Sequence, residues 1–316
     1  MVNGPREIPA IDDPLGETLY QLRLNGSLYC RSLLTAPWGI AMPPFEGKMM
    51  FHIVTAGRCW LQVGDKEPHL LQQGTLALLP QGKGHKILSE LSASSDDLFN
   101  IPVEKISERY ELIRHGGGGE FTELTCGVMS FDHLAGQRLI DQLPELLVID
   151  SFDGDSSGWL QSSLQFITQE ARVLKPGGET IITHLADILV IQAIRTWVDR
   201  APEASTGWLA ALRDKKIGQA LAAIHREPEQ EWTIESLARV VGMSRSGFSA
   251  KFTELVGDSA KSYLTKWRMQ IARQRLAAST TPVAIIAEQL GYNSEAAFCR
   301  AFKRNIGVTP GSIRRH

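Results

Sequence analysis

"GYNSEAAFCRAFKRNIGVTP", residues 291–310, places Phe298, Phe302 and Ile306 one helical turn apart. On the opposite side of the same helix stand the small or basic residues Ala296, Cys299, Arg300 and Lys303. A stripe with that period anchors a helix through its aromatic side and leaves the other side outward. The pattern is not unique in the chain. Ser294, Phe298, Phe302 and Gly307 repeat the spacing of Ser244, Phe248, Phe252 and Gly257, fifty residues earlier.

Each copy is preceded by a second matching helix. Ile234, Leu237, Ala238 and Val241 fall at i, i+3, i+4 and i+7, as do Val283, Ile286, Ala287 and Leu290. Gly242 and Gly291 follow these helices, and Ser244 and Ser294 are suited to cap the next ones. A short apolar helix, a glycine turn and a capped second helix make a helix-turn-helix, here in two tandem copies. The second helix of such a unit puts its outward N-terminal residues against base edges in the major groove. These are Glu295, Ala296, Cys299, Arg300 and Lys303 in one copy, and Arg245, Ser246, Ser249 and Ala250 in the other. Small residues permit close approach, and an arginine fork can bond guanine O6 and N7.

Between the copies, "SYLTKWRMQIARQRLAAS" reads as a long helix with Leu264, Trp267 and Ile271 inward. About 17 residues at 1.5 Å each give about 25 Å, a rod that can hold two recognition helices near successive major grooves. Lys261, Lys266, Arg268, Arg273 and Arg275 offer charge to phosphates, or else form ion pairs or a solvated face.

The 316-residue chain has a net charge of −2, which hides an asymmetry. Residues 208–316 carry 17 Lys+Arg against 9 Asp+Glu, and the other 207 carry 16 against 26. That suits a nucleic-acid-binding domain joined to an acidic one, although charge alone would equally fit a solvated basic face. Hydrophobic and charged contents of 43% and 22% describe a globular protein. No apolar run in the sequence approaches the roughly 18 residues of a membrane span, and "MVNGPREIPAIDD" lacks the apolar core of a signal peptide. Cys30, Cys59, Cys126 and Cys299 are far apart with no C-x-x-C pair, which suits a reduced cytoplasmic chain.

"WTIESLARVVGMSRSGFSAKFTELVG", "YLTKWRMQIARQRL" and "VAIIAEQLGYNSEAAFCRAFKRNIGVTPGSIRR" together resemble the AraC/XylS family of bacterial transcriptional regulators over about 100 residues. The resemblance implies two helix-turn-helix units on promoter DNA and activation through contact with RNA polymerase. Lys251 and Ser259-Ala260 depart from the family's usual arginine and Ser-Pro, which affects local phosphate contacts and not the fold.

Residues 20–130 alternate short strands with glycine and proline breaks, the pattern of a β-barrel or sandwich. "GTLALLPQGKGH" holds Gly74, Pro80, Gly82 and His85 in the G-x5-P-x-G-x2-H spacing of a second cupin motif. With "APWGI", "FHIVTAG" and Cys126-Gly127 it resembles the cupin-type sensor domains of one AraC subgroup. Cupin enzymes use H-x-H and a glutamate, but here His52 stands alone and Val54 takes the second histidine's place. One or two imidazoles are too few for a tight site, which wants three or four ligands; His52, His85 and Cys126 could converge on zinc, or the histidines are packed or contact a ligand. A barrel interior can instead enclose one small ligand, lined by Trp38, His52, Trp60 and His85. Both tryptophans would serve equally as core. His69 and His115 default to the surface.

From Trp159 to Arg200 the pattern is helical, broken at "KPGG". Ile181, Leu185, Ile188, Leu189 and Gln192 form a stripe, supplemented by Ile191 and Ile194 on an adjoining face, and so wide an apolar surface needs covering by the barrel and a second subunit. The resemblance also places dimerisation there.

The expected architecture is α+β and multidomain. A cupin-like effector-sensing β-barrel spans 1–156, a helical dimerisation hairpin 157–200, a linker 201–207, and an all-α domain of two helix-turn-helix units 208–316. The expected function is a cytoplasmic, homodimeric, ligand-responsive transcription activator with no catalytic residues, no cofactor and no membrane partner. The competing reading is a metal-dependent cupin enzyme tethered to DNA.

Overall fold

A computed structural model describes Gly16 and residues 24–131, 139–150, 157–173, 175–200 and 207–314. The linker expected at 201–207 lies outside these residues except for Gly207. Leu22–Arg200 form one compact unit, and Ala201–His316 belong to another.

The first unit is built on two sheets. The larger has seven strands in the order β12 (Leu147–Ile149), β6 (Leu76–Leu79), β3 (Lys48–Ala56), β11 (Phe121–Phe131), β1 (Leu24–Thr35), β10 (Tyr110–Gly116) and β9 (Val103–Lys105). The smaller has five: β5 (His69–Gln72), β4 (Arg58–Val63), β7 (His85–Leu88), β2 (Gly39–Met42) and β8 (Asp96–Asp97). Pairing is antiparallel except for β1 with β10 and β2 with β8. Neither ladder closes on itself among the described residues, so the expected barrel consists of two facing sheets. The outermost strands are only two to four residues long, which limits the unpaired edge each exposes.

One apolar core fills the space between the sheets. It takes Leu34, Met50, Val54, Leu79, Ile113 and Leu124 from the larger sheet, and Ile40, Cys59, Leu61, Leu71 and Ile87 from the smaller. Strand alternation selects these residues. On β4, Cys59, Leu61 and Val63 are buried while Arg58, Trp60 and Gln62 lie on the other face.

Helices α1 (Ser157–Arg172) and α2 (Gly178–Arg200) pack on each other, and α2 also meets β1 and β12. The buried stripe of α2 is Ile182, Ala186, Leu189, Ala193, Ile194 and Val198. It is offset from the expected stripe, of which only Leu189 is buried, towards the adjoining face, where Ile194 is buried and Ile191 half-buried; Ile181 and Ile188 remain 48% and 44% exposed. The helix is apolar on two sides, and its sequence does not tell which side meets the sheet. By length and composition α2 could span a bilayer, but its inward side is covered by protein.

The second unit is all helical: α3 (Gly207–Arg213), α4 (Lys215–Arg226), α5 (Ile234–Val240), α6 (Arg245–Val256), α7 (Ala260–Ala278), α8 (Val283–Gln289), α9 (Glu295–Ile306) and α10 (Pro310–Ile313). The caps are those the sequence signals. Ser244 and Ser294 accept from the backbone N–H groups of Gly247 and Ala297, each at 3.2 Å. Gly257 and Gly307 end α6 and α9 in the left-handed region, at φ 77° and 87°.

Two cores share α7. Tyr263 and Trp267 reach towards α4 and α6, where His225 stacks on Trp267 and Tyr263 meets Phe252 edge-on. Met269, Ala272 and Leu276 join Ile286, Ala287, Leu290, Phe298 and Phe302 in the second core.

Candidate nucleic-acid interface and sensor interior

The helix-turn-helix units are α5–α6 and α8–α9. Within each, the phenylalanines at Phe248 and Phe252, or Phe298 and Phe302, are fully buried. The other face is therefore turned to solvent. Arg245, Ser246 and Ala250 are exposed on α6, with Ser249 half-buried. Glu295, Ala296, Arg300 and Lys303 are exposed on α9, with Cys299 half-buried. Cys299, Arg300, Lys303 and Arg304 also border a groove of about 830 Å³ that runs towards Thr309 and Pro310.

The basic residues divide into held and open. Arg245 Nε donates to Glu235 at 2.8 Å, Lys251 pairs with Asp214, and Lys266 pairs with Asp258. Arg268 was expected among the phosphate-facing cations, but it is half-buried and donates to the carbonyls of Pro228, Glu229 and Gln230. It also stands 5.7 Å from the ring centre of Tyr292. Its role is to hold the chain before α5 against α7. Lys261, Arg273, Arg300 and Lys303 are exposed and lie towards solvent.

In the sensor unit, three of the residues singled out from the sequence meet. His52 on β3 is the cross-strand neighbour of Cys126 on β11, and its Nδ1 lies 3.0 Å from Cys126 Sγ. Its Nε2 lies 2.7 Å from Nε2 of His85, which comes from the opposite sheet. His85 Nδ1 stands 2.9 Å from the carbonyl oxygen of Lys83.

That last contact fixes the protons along the whole chain. A carbonyl only accepts, so His85 Nδ1 donates and its Nε2 accepts. His52 Nε2 must then donate, its Nδ1 must accept, and the Cys126 thiol supplies the proton. Burial, together with the neighbouring His85, holds His52 well below the usual imidazole range. Burial pulls His85 down to about 4, partly opposed by its bond to Lys83. Burial also keeps the Cys126 thiol protonated.

This arrangement is a line and not a ligand cage. Both nitrogens of His52 are engaged in opposite directions, so His52, His85 and Cys126 do not aim three lone pairs at one point. Val54, on the same face as His52, puts hydrocarbon where a second imidazole would stand.

Trp38 is 2% exposed within this core, and its indole N–H has no acceptor among the described residues. Trp60 does not join it. It alternates with the inward Cys59 and Leu61 and so lies on the outer face, a correction that one residue of strand phase accounts for. His69 is exposed, and His115 sits 3.2 Å from Asp96. Motif spacing does not mark Cys30 on β1, directly opposite Cys126, or the ion pair at 2.7 Å between half-buried Arg31 and buried Glu123. Only strand register could have brought these together.

A cupin family model matches residues 13–199, and a helix-turn-helix domain model matches residues 237–316. The chain is 32% identical over 305 residues to an AraC-like transcription regulator of Streptomyces antibioticus, covering 96% of this chain and 99% of that one. The chain belongs to the family of AraC-like transcription regulators. It is also 31% identical to the regulator AlkR of Acinetobacter baylyi, over 96% of this chain and 99% of that protein. Among solved structures, the C-terminal domain of AraT from Geobacillus stearothermophilus is 33% identical over 30% of this chain and 80% of its own, with a TM-score of 0.30. Like its AraC-like relatives, this chain is a DNA-binding transcription regulator with a cupin domain preceding its helix-turn-helix domain.

Proposed function

We propose that this regulator is a ligand-responsive, homodimeric activator acting on double-stranded promoter DNA in the cytoplasm. The observation that carries the reading is the doubled helix-turn-helix, in which buried phenylalanines turn one small and basic helix face per unit to solvent. Arg300 is the base reader and Lys303 the phosphate contact on α9. Glu295, Ala296 and Cys299 line the same approach, and Arg245, Ser246, Ser249 and Ala250 supply the second reading surface.

The effector site lies in the sensor interior at Trp38, His52 and His85. A buried indole N–H with no acceptor costs free energy that a polar ligand atom would recover. Dimerisation uses Ile181 and Ile188 of α2, with Phe166 of α1 also 60% exposed. RNA polymerase is the partner through which activation follows.

Selection of bound fragments from sheared genomic DNA by the purified chain tests this reading. Enrichment of a motif with paired half-sites upstream of genes is expected. Uniform recovery of all fragments would overturn it.

A further inference from the structure

Arg268 stands in α7 between Trp267, which belongs to one core of the DNA-binding unit, and Met269, which belongs to the other. Its guanidinium lies across the chain that leads into α5. Nε donates to the Pro228 carbonyl at 2.6 Å, and Nη2 donates to those of Glu229 and Gln230 at 3.2 and 2.9 Å. Its Cζ lies 5.7 Å from the ring centre of Tyr292, in the turn between α8 and α9. One side chain thus touches both helix-turn-helix units.

Each unit is braced where Arg268 meets it. Ahead of α5, the Trp232 indole N–H and the Gln230 backbone N–H both donate to the Glu227 carbonyl, at 2.9 and 3.2 Å. The Thr233 hydroxyl accepts from the Ser236 N–H at 3.0 Å and so joins this segment to the first turn of α5. In the α8–α9 turn, the N–H groups of Gly291 and Tyr292 donate to the carbonyls of Glu288 and Ala287 at 2.9 and 3.0 Å. The Tyr292 ring meets Phe298 edge-on, with centres 5.5 Å apart. Gly291 lets the two segments touch. A Cβ there would stand 2.2 Å from the Glu229 carbonyl oxygen and 2.9 Å from Arg268 Nη2.

The only broad join between the units among the described residues is α7 itself. α6 packs on α7, as do α8 and α9, but no extensive packing joins α5 or α6 directly to α8 or α9. A long helix curves readily, so a helix alone leaves the angle between its two ends loosely set. The guanidinium closes a second path beside the helix, and two ties resist the bending and twisting that one permits.

We infer that Arg268 is a spacing-determining residue, which holds α6 and α9 at one mutual angle and so confines recognition to one separation of the two base-pair blocks they read. This role rests on both helices contacting DNA, as proposed above, and gives a share of specificity to a side chain turned away from the bases. One turn of B-DNA takes about 10–10.5 base pairs, so one added pair carries the second block about 35° round the duplex. A rigid pair of helices cannot then reach both blocks. Arginine suits the task because its planar fork offers donors in fixed directions to three carbonyls while its face stays open to an aromatic ring.

The test uses the full chain and a duplex carrying one half-site, taken from those the wild type enriches from a random pool. Hydroxyl-radical footprinting locates the two contacted blocks, and a series of duplexes has one or two base pairs removed or inserted between them. The wild type should lose about 5–150-fold in affinity on each altered duplex, the worth of one good base contact. Arg268→Met should bind the original duplex less tightly yet level the whole series to within about 5-fold. Its salt slope should match that of the wild type, because the guanidinium faces carbonyls and not phosphates. Arg268→Lys keeps the charge without the fork and should fall between the two.

A side chain that merely stabilised the fold would lower every affinity in proportion and leave the ratios along the series intact. Glu229 and Gln230 are exposed, so water takes over their carbonyls in Arg268→Met, and circular dichroism checks its helix content. If that variant does not fold, Tyr292→Leu keeps the three carbonyl bonds, removes the ring and should flatten the series in part. Ratios as steep in the folded variants as in the wild type would overturn the inference. A wild type that ignores spacing, or protects one block only, would instead sink the reading that both helices contact DNA.

Discussion

Nε2 of His52 and Nε2 of His85 stand 2.7 Å apart, a hydrogen bond between two sheets that share no strand. Only one of the four nitrogens, His85 Nδ1, faces a fixed acceptor, so a proton added to either ring breaks the order of the line.

The burial of that pair makes the sensor sensitive to acid. His85 falls from an unfolded value near 6.5 to about 4 when folded, so the unfolded chain binds the extra proton between those limits. Its contribution is fully present above pH 6.5 and is lost as pH falls towards 4. For this one group it amounts to about 3 kcal/mol. Asp187 on α2, raised by burial to about 6, works in the opposite direction over an overlapping window. Chemical denaturation at pH 7.5 and 5 should show the loss, and His85→Leu should reduce the difference. An unchanged difference in that variant would remove His85 as its source.

Arg300 and Lys303 should separate base reading from phosphate contact. Arg300→Ala is expected to weaken the specific site by about 1–3 kcal/mol while barely affecting scrambled duplex. Lys303→Ala should weaken both alike and lower the salt slope by about 0.9. Titration of both duplexes over a salt series measures this. Equal losses for Arg300→Ala would assign it to the backbone instead.

Ile188 and Ile182 lie on different sides of α2, 44% exposed and fully buried respectively. Ile188→Asp should therefore give a folded monomer, whereas Ile182→Asp should bury an unpaired charge and unfold the sensor. Sedimentation and circular dichroism distinguish the two. A wild type that sediments as a monomer would leave the exposed face without the partner assigned to it.

Gly291 and Gly307 are both left-handed, at φ 73° and 87°, but only Gly291 is crowded. A Cβ there would meet the Glu229 carbonyl oxygen at 2.2 Å, while at Gly307 it would meet nothing within 4 Å. Gly307→Ala should cost about 1–2 kcal/mol from backbone strain alone. Gly291→Ala should cost more, because the segment that Arg268 holds must also move. Comparable denaturation midpoints for the two variants would show that this segment yields freely.

The DNA-binding unit was legible because its signals are local. Ser244, Phe248, Phe252 and Gly257 and their repeat specify cap, buried face and terminus within one helix each. The preceding pair α3–α4 was missed, although Asp214 caps α4 and Ile217, Ala220, Leu221 and Ile224 mark its buried side. The sensor was legible only in part, because its relationships are set by register between distant strands. Motif spacing marks His52 and His85, whereas the outward face of Trp60 and the place of Cys30 opposite Cys126 depend on strand phase and register. On α2 the apolar side chains outnumber what one face can hold, so the sequence supports two stripes and the packing selects one.

The split burial of α7, with Trp267 in one core and Met269 in the next, makes that helix a phase-setter as well as a spacer. Each residue inserted between those positions would advance the second half by about 1.5 Å and turn it by about 100°. One or two extra residues would swing α9 away from the major groove next to the one that α6 addresses. Three or four would nearly restore the angle while lengthening the reach by about 5 Å, more than one base-pair step. The operator's spacing is therefore written into the pitch of a single helix, and changes in its length are tolerated only in whole turns matched by the DNA.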